Sequence, residues 1–227
     1  MDVKICGVCR AEDARLAADA GATWLGVILA PGRTRTQTVD RAGAIFDAAP
    51  LRRAGVFVDA PAQDVERTAR DLSLDAVQLH GDESPEYVAA LRDLVSCEVW
   101  KVVRVRDPGD LPSVIGAYAG SGDPRLARGP QRRERTGVDA VLLDGWSPDA
   151  HGGVGVRFDW AAVARVIPRD VRVIVAGGLT PDNVGAAVSL LRPAMVDVSS
   201  GVEEAPGRKS PGRVHAFIAA ARGVKEP

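Results

Sequence analysis

Short, almost wholly apolar runs recur along the chain at near-regular intervals: Val3–Gly7, Trp24–Leu29, Ala54–Val58, Ala76–His80, Val99–Val105, Ala140–Asp144, Val171–Ala176 and Met195–Ser199. Continuous apolarity, in place of alternation, marks strands buried on both faces, the condition of a parallel sheet covered by helices. Stretches with helical spacing separate most of these runs: Ala11–Ala20, Val39–Ala48, Gln63–Asp71, Pro85–Leu94, Trp160–Val166, Pro181–Leu191 and Val214–Ala221. Asp40, Ser84 and Thr180 stand where helix caps are expected, with Pro85 and Pro181 as first helical residues. Eight strand–helix units in 227 residues predict one α/β domain over residues 1–227, a (β/α)8 TIM barrel. A doubly wound open sheet is the competing arrangement, but the first turn, Cys6-Gly7-Val8-Cys9, lacks the G-x-G-x-x-G of a dinucleotide site.

Composition narrows the function classes. With 29 Lys and Arg against 30 Asp and Glu, no global charge draws the chain to nucleic acid or to an anionic membrane. No apolar run approaches the ~20 residues of a membrane helix, and no basic leader precedes the first strand, so a cytoplasmic protein is expected. Three cysteines in a chain of this size do not suggest a disulfide framework. Cys6 and Cys9 form a C-x-x-C, open to reading as a redox pair, half a zinc site, inert thiols or a catalytic base. Cys97, His80, His151 and His215 lie scattered without paired spacing, so no metal is expected.

Active sites of such barrels form at the C-terminal ends of the strands. The residues placed there are Cys6, Arg33 and Arg35, His80, Asp144, Gly177-Gly178 and Ser199-Ser200-Gly201. Gly-rich turns after strands seven and eight present backbone N–H groups, which predicts a phosphate site at Gly177, Gly178, Ser200 and Gly201 and a phosphorylated small-molecule substrate. Asp144 closes a fully apolar strand and suits either a helix cap or general acid work. His80 suits either a core histidine or a substrate contact, and one of Arg33 and Arg35 is expected to hold a carboxylate or phosphate.

Lys4-Ile5-Cys6-Gly7, Gly55-Val56-Phe57-Val58, Val77-Gln78-Leu79-His80-Gly81, Leu142-Leu143-Asp144, Gly152-Gly153 ahead of Phe158-Asp159-Trp160, Ala176-Gly177-Gly178-Leu179-Thr180 and Val196-Asp197-Val198-Ser199-Ser200-Gly201-Val202-Glu203 occur in this order. Together they resemble the phosphoribosylanthranilate isomerase family of tryptophan biosynthesis. The resemblance implies a cofactor-free Amadori rearrangement of N-(5-phosphoribosyl)anthranilate. It also implies that Asp144 is the general acid, that Cys6 is a general base helped by nearby positive charge, and that Arg35 engages the anthranilate portion. His80 and Asp197 would line the site, and the two Gly turns would hold the phosphate. The family usually has Ser-Pro-Arg where this chain has Arg33-Thr34-Arg35, and a common threonine where it has Cys9. Rival readings are a related sugar-phosphate isomerase of histidine biosynthesis, or one of dual specificity, and a non-catalytic phosphate-binding barrel. The first is disfavoured because such enzymes resemble one another in carrying an aspartate where Cys6 stands.

Residues 120–137 read as a basic, flexible insert, with Arg125, Arg128, Arg132, Arg133 and Arg135 after Ser121-Gly122-Asp123-Pro124. It falls between a helix and the following strand, and therefore at the N-terminal face, away from the chemistry. Shortening it is expected to leave turnover unchanged; an isomerase assay beside circular dichroism checks this, and lost turnover in a folded variant would contradict the placement.

Overall fold

The computed structural model describes residues 1–119, 137–145 and 158–223. The Gly152-Gly153 motif and all of the 120–137 insert except Gly137 lie outside them. Eight parallel strands among the described residues close into a barrel in chain order, β1 to β8, with β8 paired back to β1. They are β1 (Asp2–Ile5), β2 (Trp24–Ile28), β3 (Arg52–Phe57), β4 (Ala76–Leu79), β5 (Glu98–Val105), β6 (Ala140–Gly145), β7 (Val173–Val175) and β8 (Met195–Val198). The helices are α1 (Ala11–Asp19), α2 (Val39–Phe46), α3 (Ala62–Asp71), α4 (Pro85–Leu94), α5 (Leu111–Ala119), α6 (Trp160–Val166), α7 (Val184–Leu191) and α8 (Pro211–Arg222). No described helix is long and apolar enough to cross a membrane.

Local signals set most of these boundaries. Ser84 caps α4, accepting from the Tyr87 N–H, and Pro85 is its first residue. Asp40 instead lies inside the first turn of α2, because Thr38 takes the cap. Thr180 does not cap α7 either. The Asn183 side chain ties the intervening turn, accepting from the Thr180 N–H at 2.8 Å and donating to the Gly178 carbonyl at 2.9 Å, and the helix starts only at Val184. Helix α5 has no counterpart among the helical stretches expected from sequence. Pro112 and Gly116 disguise it, while Asp107 accepts from the Gly109 N–H and starts the 3₁₀ turn (Pro108–Asp110) that feeds it.

Two apolar layers share the strands. One lies between barrel and helices; the other fills the barrel itself with Trp24, Trp100, Val102, Leu142, Ile174 and Met195 beside Ala54, Ala76 and Ala140. Strand side chains alternate between these layers. Small alanines on β3, β4 and β6 leave room for the indoles of Trp24 and Trp100, which meet edge to face with ring centroids 4.6 Å apart. Below them Glu98 accepts from Trp100 Nε1 at 2.7 Å and pairs with Arg52 and Arg172. The indoles thus floor the barrel and confine any cavity to the opposite end. Trp100→Ala is expected to destabilise the fold by about 3–5 kcal/mol, read as a lower urea midpoint at an unchanged slope.

Candidate active site

The alternation that puts Trp24, Ala76, Trp100, Ala140 and Met195 in the barrel places Gly26, Gln78, Val102, Leu142 and Asp197 one step higher on the same strands. A further step reaches Ile28, His80, Arg104, Asp144 and Ser199. On β1 the same face carries Lys4 and then Cys6. A cavity of about 300 Å³ opens at this end, bounded by Cys6, His80, Asp144, Asp197, Gly177-Gly178 and Ser200-Gly201, with Arg33 and Arg35 on its rim. The residues expected from sequence to act are therefore brought together around one space.

Beneath the cavity lies a layer of buried polar groups. The Lys4 ammonium, fully buried, donates to Asp197 Oδ1 and to Gln78 Oε1, each at 3.0 Å. Burial acts to lower the Lys4 pKa, but Asp197 and Cys6 outweigh it and hold it above the ordinary lysine value. Gly26 provides the space for this cluster, since a Cβ there would stand 2.8 Å from both Cys6 Sγ and Lys4 Cε. The positive charge expected around Cys6 is present, yet it does not produce an acidic thiol. Burial, and then the neighbouring Asp197 carboxylate, push the Cys6 thiol above the ordinary cysteine value; Lys4 and Lys209 pull the other way without offsetting them. Cys9 is also a free thiol, but its sulfur faces elsewhere, toward the carbonyls of Gly7 and Arg35.

On the opposite wall His80 Nε2 lies 3.3 Å from Asp144 Oδ2, while His80 Nδ1 lies 3.2 Å from Gln78 Nε2. Glu83 secures the turn that carries His80. It accepts from the N–H groups of Asp59 and Gly81, and it pairs at 2.8 Å with buried Lys101, which also donates to the Gly81 carbonyl. Arg104 braces the same turn through the His80 carbonyl at 2.8 Å.

Arg35 is not free in this state. Its Nε and Nη2 grip both oxygens of Glu203 at 2.7 and 2.5 Å. Burial would raise the Glu203 carboxyl, but Arg35 and Lys209 more than compensate and hold it below the usual carboxylate range. Lys209, fully buried on the hairpin of β9 (Glu203–Ala205) and β10 (Arg208–Lys209), donates to Glu203 at 3.0 Å, to the Cys6 carbonyl at 2.6 Å and to the Ser199 carbonyl at 3.1 Å. Burial lowers its pKa, and Glu203 compensates only in part. Lys4, Gln78 and Glu203 stand within the motifs of the resemblance, but no role was read from sequence for them or for Lys209. A lysine and a glutamine inside strands buried on both faces were the available signal, since such groups are retained only with partners.

The turns after β7 and β8 form one structure. Gly177 and Gly178 adopt φ of 79° and 63°, and a Cβ on Gly201 would collide with the Leu179 carbonyl oxygen. Neither turn runs straight into a long helix: a turn separates the Gly pair from α7, and Ser200-Gly201 opens the 3₁₀ segment Ser200–Val202. Two buried polar atoms at the cavity, Ser199 Oγ and His80 Nε2, lack an aligned hydrogen-bond partner among the described residues, as is common where a ligand completes the set.

The family model described as N-(5'-phosphoribosyl)anthranilate (PRA) isomerase matches residues 3–119 and 125–220. An N-(5'-phosphoribosyl)anthranilate isomerase of Geobacter sulfurreducens is 42% identical over 225 residues, covering 97% of this chain and 98% of that protein. The crystal structure of phosphoribosyl anthranilate isomerase from Thermus thermophilus superposes with a TM-score of 0.77 at 36% identity, covering 99% of this chain and 100% of that one. A phosphoribosyl anthranilate isomerase crystallised with reduced 1-(o-carboxyphenylamino)-1-deoxyribulose 5-phosphate superposes with a TM-score of 0.80 at 30% identity, over 98% of this chain and 99% of that one.

The raised thiols carry a sign that can be checked. A pKa above the ordinary value leaves less thiolate at any given pH, so Cys6 and Cys9 are expected to alkylate with iodoacetamide more slowly in the folded than in the unfolded protein at pH ~7, and to reach their full rate only at higher pH than the unfolded protein does. Mass spectrometry of the labelled peptides gives the two rates separately. A folded-state rate at neutral pH equal to or above the unfolded one would contradict the electrostatic balance described.

Proposed function

This chain belongs to the N-(5'-phosphoribosyl)anthranilate isomerase family, and from that membership we propose a division of labour among its residues. The reaction is the conversion of N-(5-phosphoribosyl)anthranilate into 1-(2-carboxyphenylamino)-1-deoxyribulose 5-phosphate in tryptophan biosynthesis. Asp144 gives its proton to the ribose ring oxygen as the bond from that oxygen to C1 breaks, and the anthranilate nitrogen supplies the electron pair that makes C1 an iminium. Cys6, as thiolate, then removes the proton on C2. The C2–H electrons form the C1–C2 double bond, the iminium is neutralised to an enolamine, and tautomerisation places the carbonyl on C2.

One observation carries this reading: Cys6 and Asp144 face a single cavity from β1 and β6, with the interlocked Gly turns of β7 and β8 on its rim. Because burial and Asp197 raise the Cys6 thiol above the ordinary cysteine value, the order of events matters. The cation created by ring opening both acidifies C2–H and supplies the positive charge that favours the thiolate, so acid precedes base. Backbone N–H groups of Gly177, Gly178, Ser200 and Gly201 take the phosphate. Arg35 meets the anthranilate carboxylate, which must share its guanidinium with Glu203. Asp197 fixes Lys4 beside the base. The unpaired thiols Cys6 and Cys9 suit a reducing compartment, and the enzyme is assigned to the cytoplasm.

Cys6→Ala and Asp144→Asn are each expected to lower kcat by at least about 10²-fold while inorganic phosphate still competes with unchanged affinity. Steady-state assays on freshly generated phosphoribosylanthranilate, with the histidine-pathway substrate run in parallel, measure this. Near-normal turnover in either variant removes that residue from the mechanism.

A further inference from the structure

His80 stands between two neighbours whose polarity is fixed. An ammonium can only donate, so the Gln78 atom that Lys4 Nζ meets at 3.0 Å is the amide oxygen. The amide nitrogen then faces the ring, 3.2 Å from His80 Nδ1. That nitrogen also can only donate, so Nδ1 must offer its lone pair. The neutral ring therefore carries its proton on Nε2, the atom that lies 3.3 Å from Asp144 Oδ2 and has no aligned acceptor of its own among the described residues. The opposite tautomer would set N–H against N–H at Gln78 and a bare ring nitrogen against the carboxyl group.

We infer that Gln78 is a positioning residue: anchored by Lys4, it holds His80 as the Nε2–H tautomer, and the ring donates to Oδ2 of Asp144 so that Oδ1 presents the acid's proton to the substrate. This rests on Asp144 being the acid. The chain of contacts runs from Asp197 through Lys4 and Gln78 to His80, and ends in the 3.3 Å approach of His80 Nε2 to Asp144, so it spans the barrel between the two sides of the reaction. Arg104 is the other charged group bound to this residue, through its backbone carbonyl.

The test begins with nitrogen-15 NMR of the unaltered protein, with the His80 signals assigned by their loss in His80→Gln. The expected spectrum shows a protonated Nε2 and an unprotonated Nδ1; a proton on Nδ1 overturns the inference. Gln78→Glu keeps the size of the side chain and a partner for Lys4 but sets a carboxylate oxygen against Nδ1, drawing a proton there. Its kcat is expected to fall about 10-fold or more with KM within about 3-fold, and wild-type kcat in a variant folded by circular dichroism overturns the inference. A glutamine at position 80 can place its amide nitrogen near the Nε2 position, whereas an asparagine reaches only as far as Nδ1. His80→Gln is therefore expected to keep about 10-fold more kcat than His80→Asn, and equal values count against the role. If Asp144→Asn alone retained turnover, the acid would be misassigned, while the spectrum of the unaltered protein would still decide the tautomer.

Discussion

The buried pair of Lys4 and Asp197 governs how this barrel can be both closed and reactive. Register sets the two residues side by side on β1 and β8, the strands whose pairing seals the cylinder. With Gln78 they occupy the level between the tryptophan floor and the open cavity. Taking two charges out of water costs several kcal/mol per ion, and losing one partner from such a pair costs about 3–5 kcal/mol. A completed set of partners is thus a condition of folding, and the same set fixes what stands above it. Asp197 keeps Lys4 charged but also opposes ionisation of Cys6. Burial and Asp197 together thus outweigh the two lysines and favour the protonated thiol at Cys6.

A second clamp works on the rim. Lys209 joins the end of β1 to the end of β8 through two backbone carbonyls, and through Glu203 it reaches the loop that carries Arg35. Gly7, with φ of 64°, lets Arg35 pass where a Cβ would stand 2.6 Å from its Cδ. Gly201 similarly lets the last two strand-end turns touch. Arg35, Cys6 and the Gly turns are therefore parts of one braced assembly, in which Glu203 already orients the arginine.

The eight strands were legible because burial on both faces leaves runs of Val, Ile and Leu that few other structures need. That same burial hid which face was which. Trp24, Ala76 and Met195 on the inner face read no differently from Leu25, Val77 and Val196 on the outer one, so the pattern alone could nominate only strand ends and loops, and Asp197, inside β8, came only from the resemblance. Cys6, His80, Asp144 and the Gly turns stand at strand ends, were nominated for that reason, and line one cavity. Lys4 and Gln78, mid-strand, were absorbed into apolar runs. Helix α5 escaped because Pro112 and Gly116 count against a helix locally, while tertiary burial of Leu111 and Ile115 decides the matter. Asp40 and Thr180 misled because side-chain chemistry suits several neighbouring positions, and packing chose Thr38 and Asn183.

The β1–β8 seam also sets a schedule for the molecule. Lys4 lies at the very start of the chain, yet its register partner is Asp197, and the carbonyl of Cys6 waits for a lysine at 209. A growing polypeptide has made most of its strands and helices before either contact exists, and loop-closure entropy must be met before these distant pairings return anything. Until then the first strand keeps an open edge and an ammonium without its carboxylate. The seam is therefore completed late, as the residues of β8 and of the hairpin after it join the first strand.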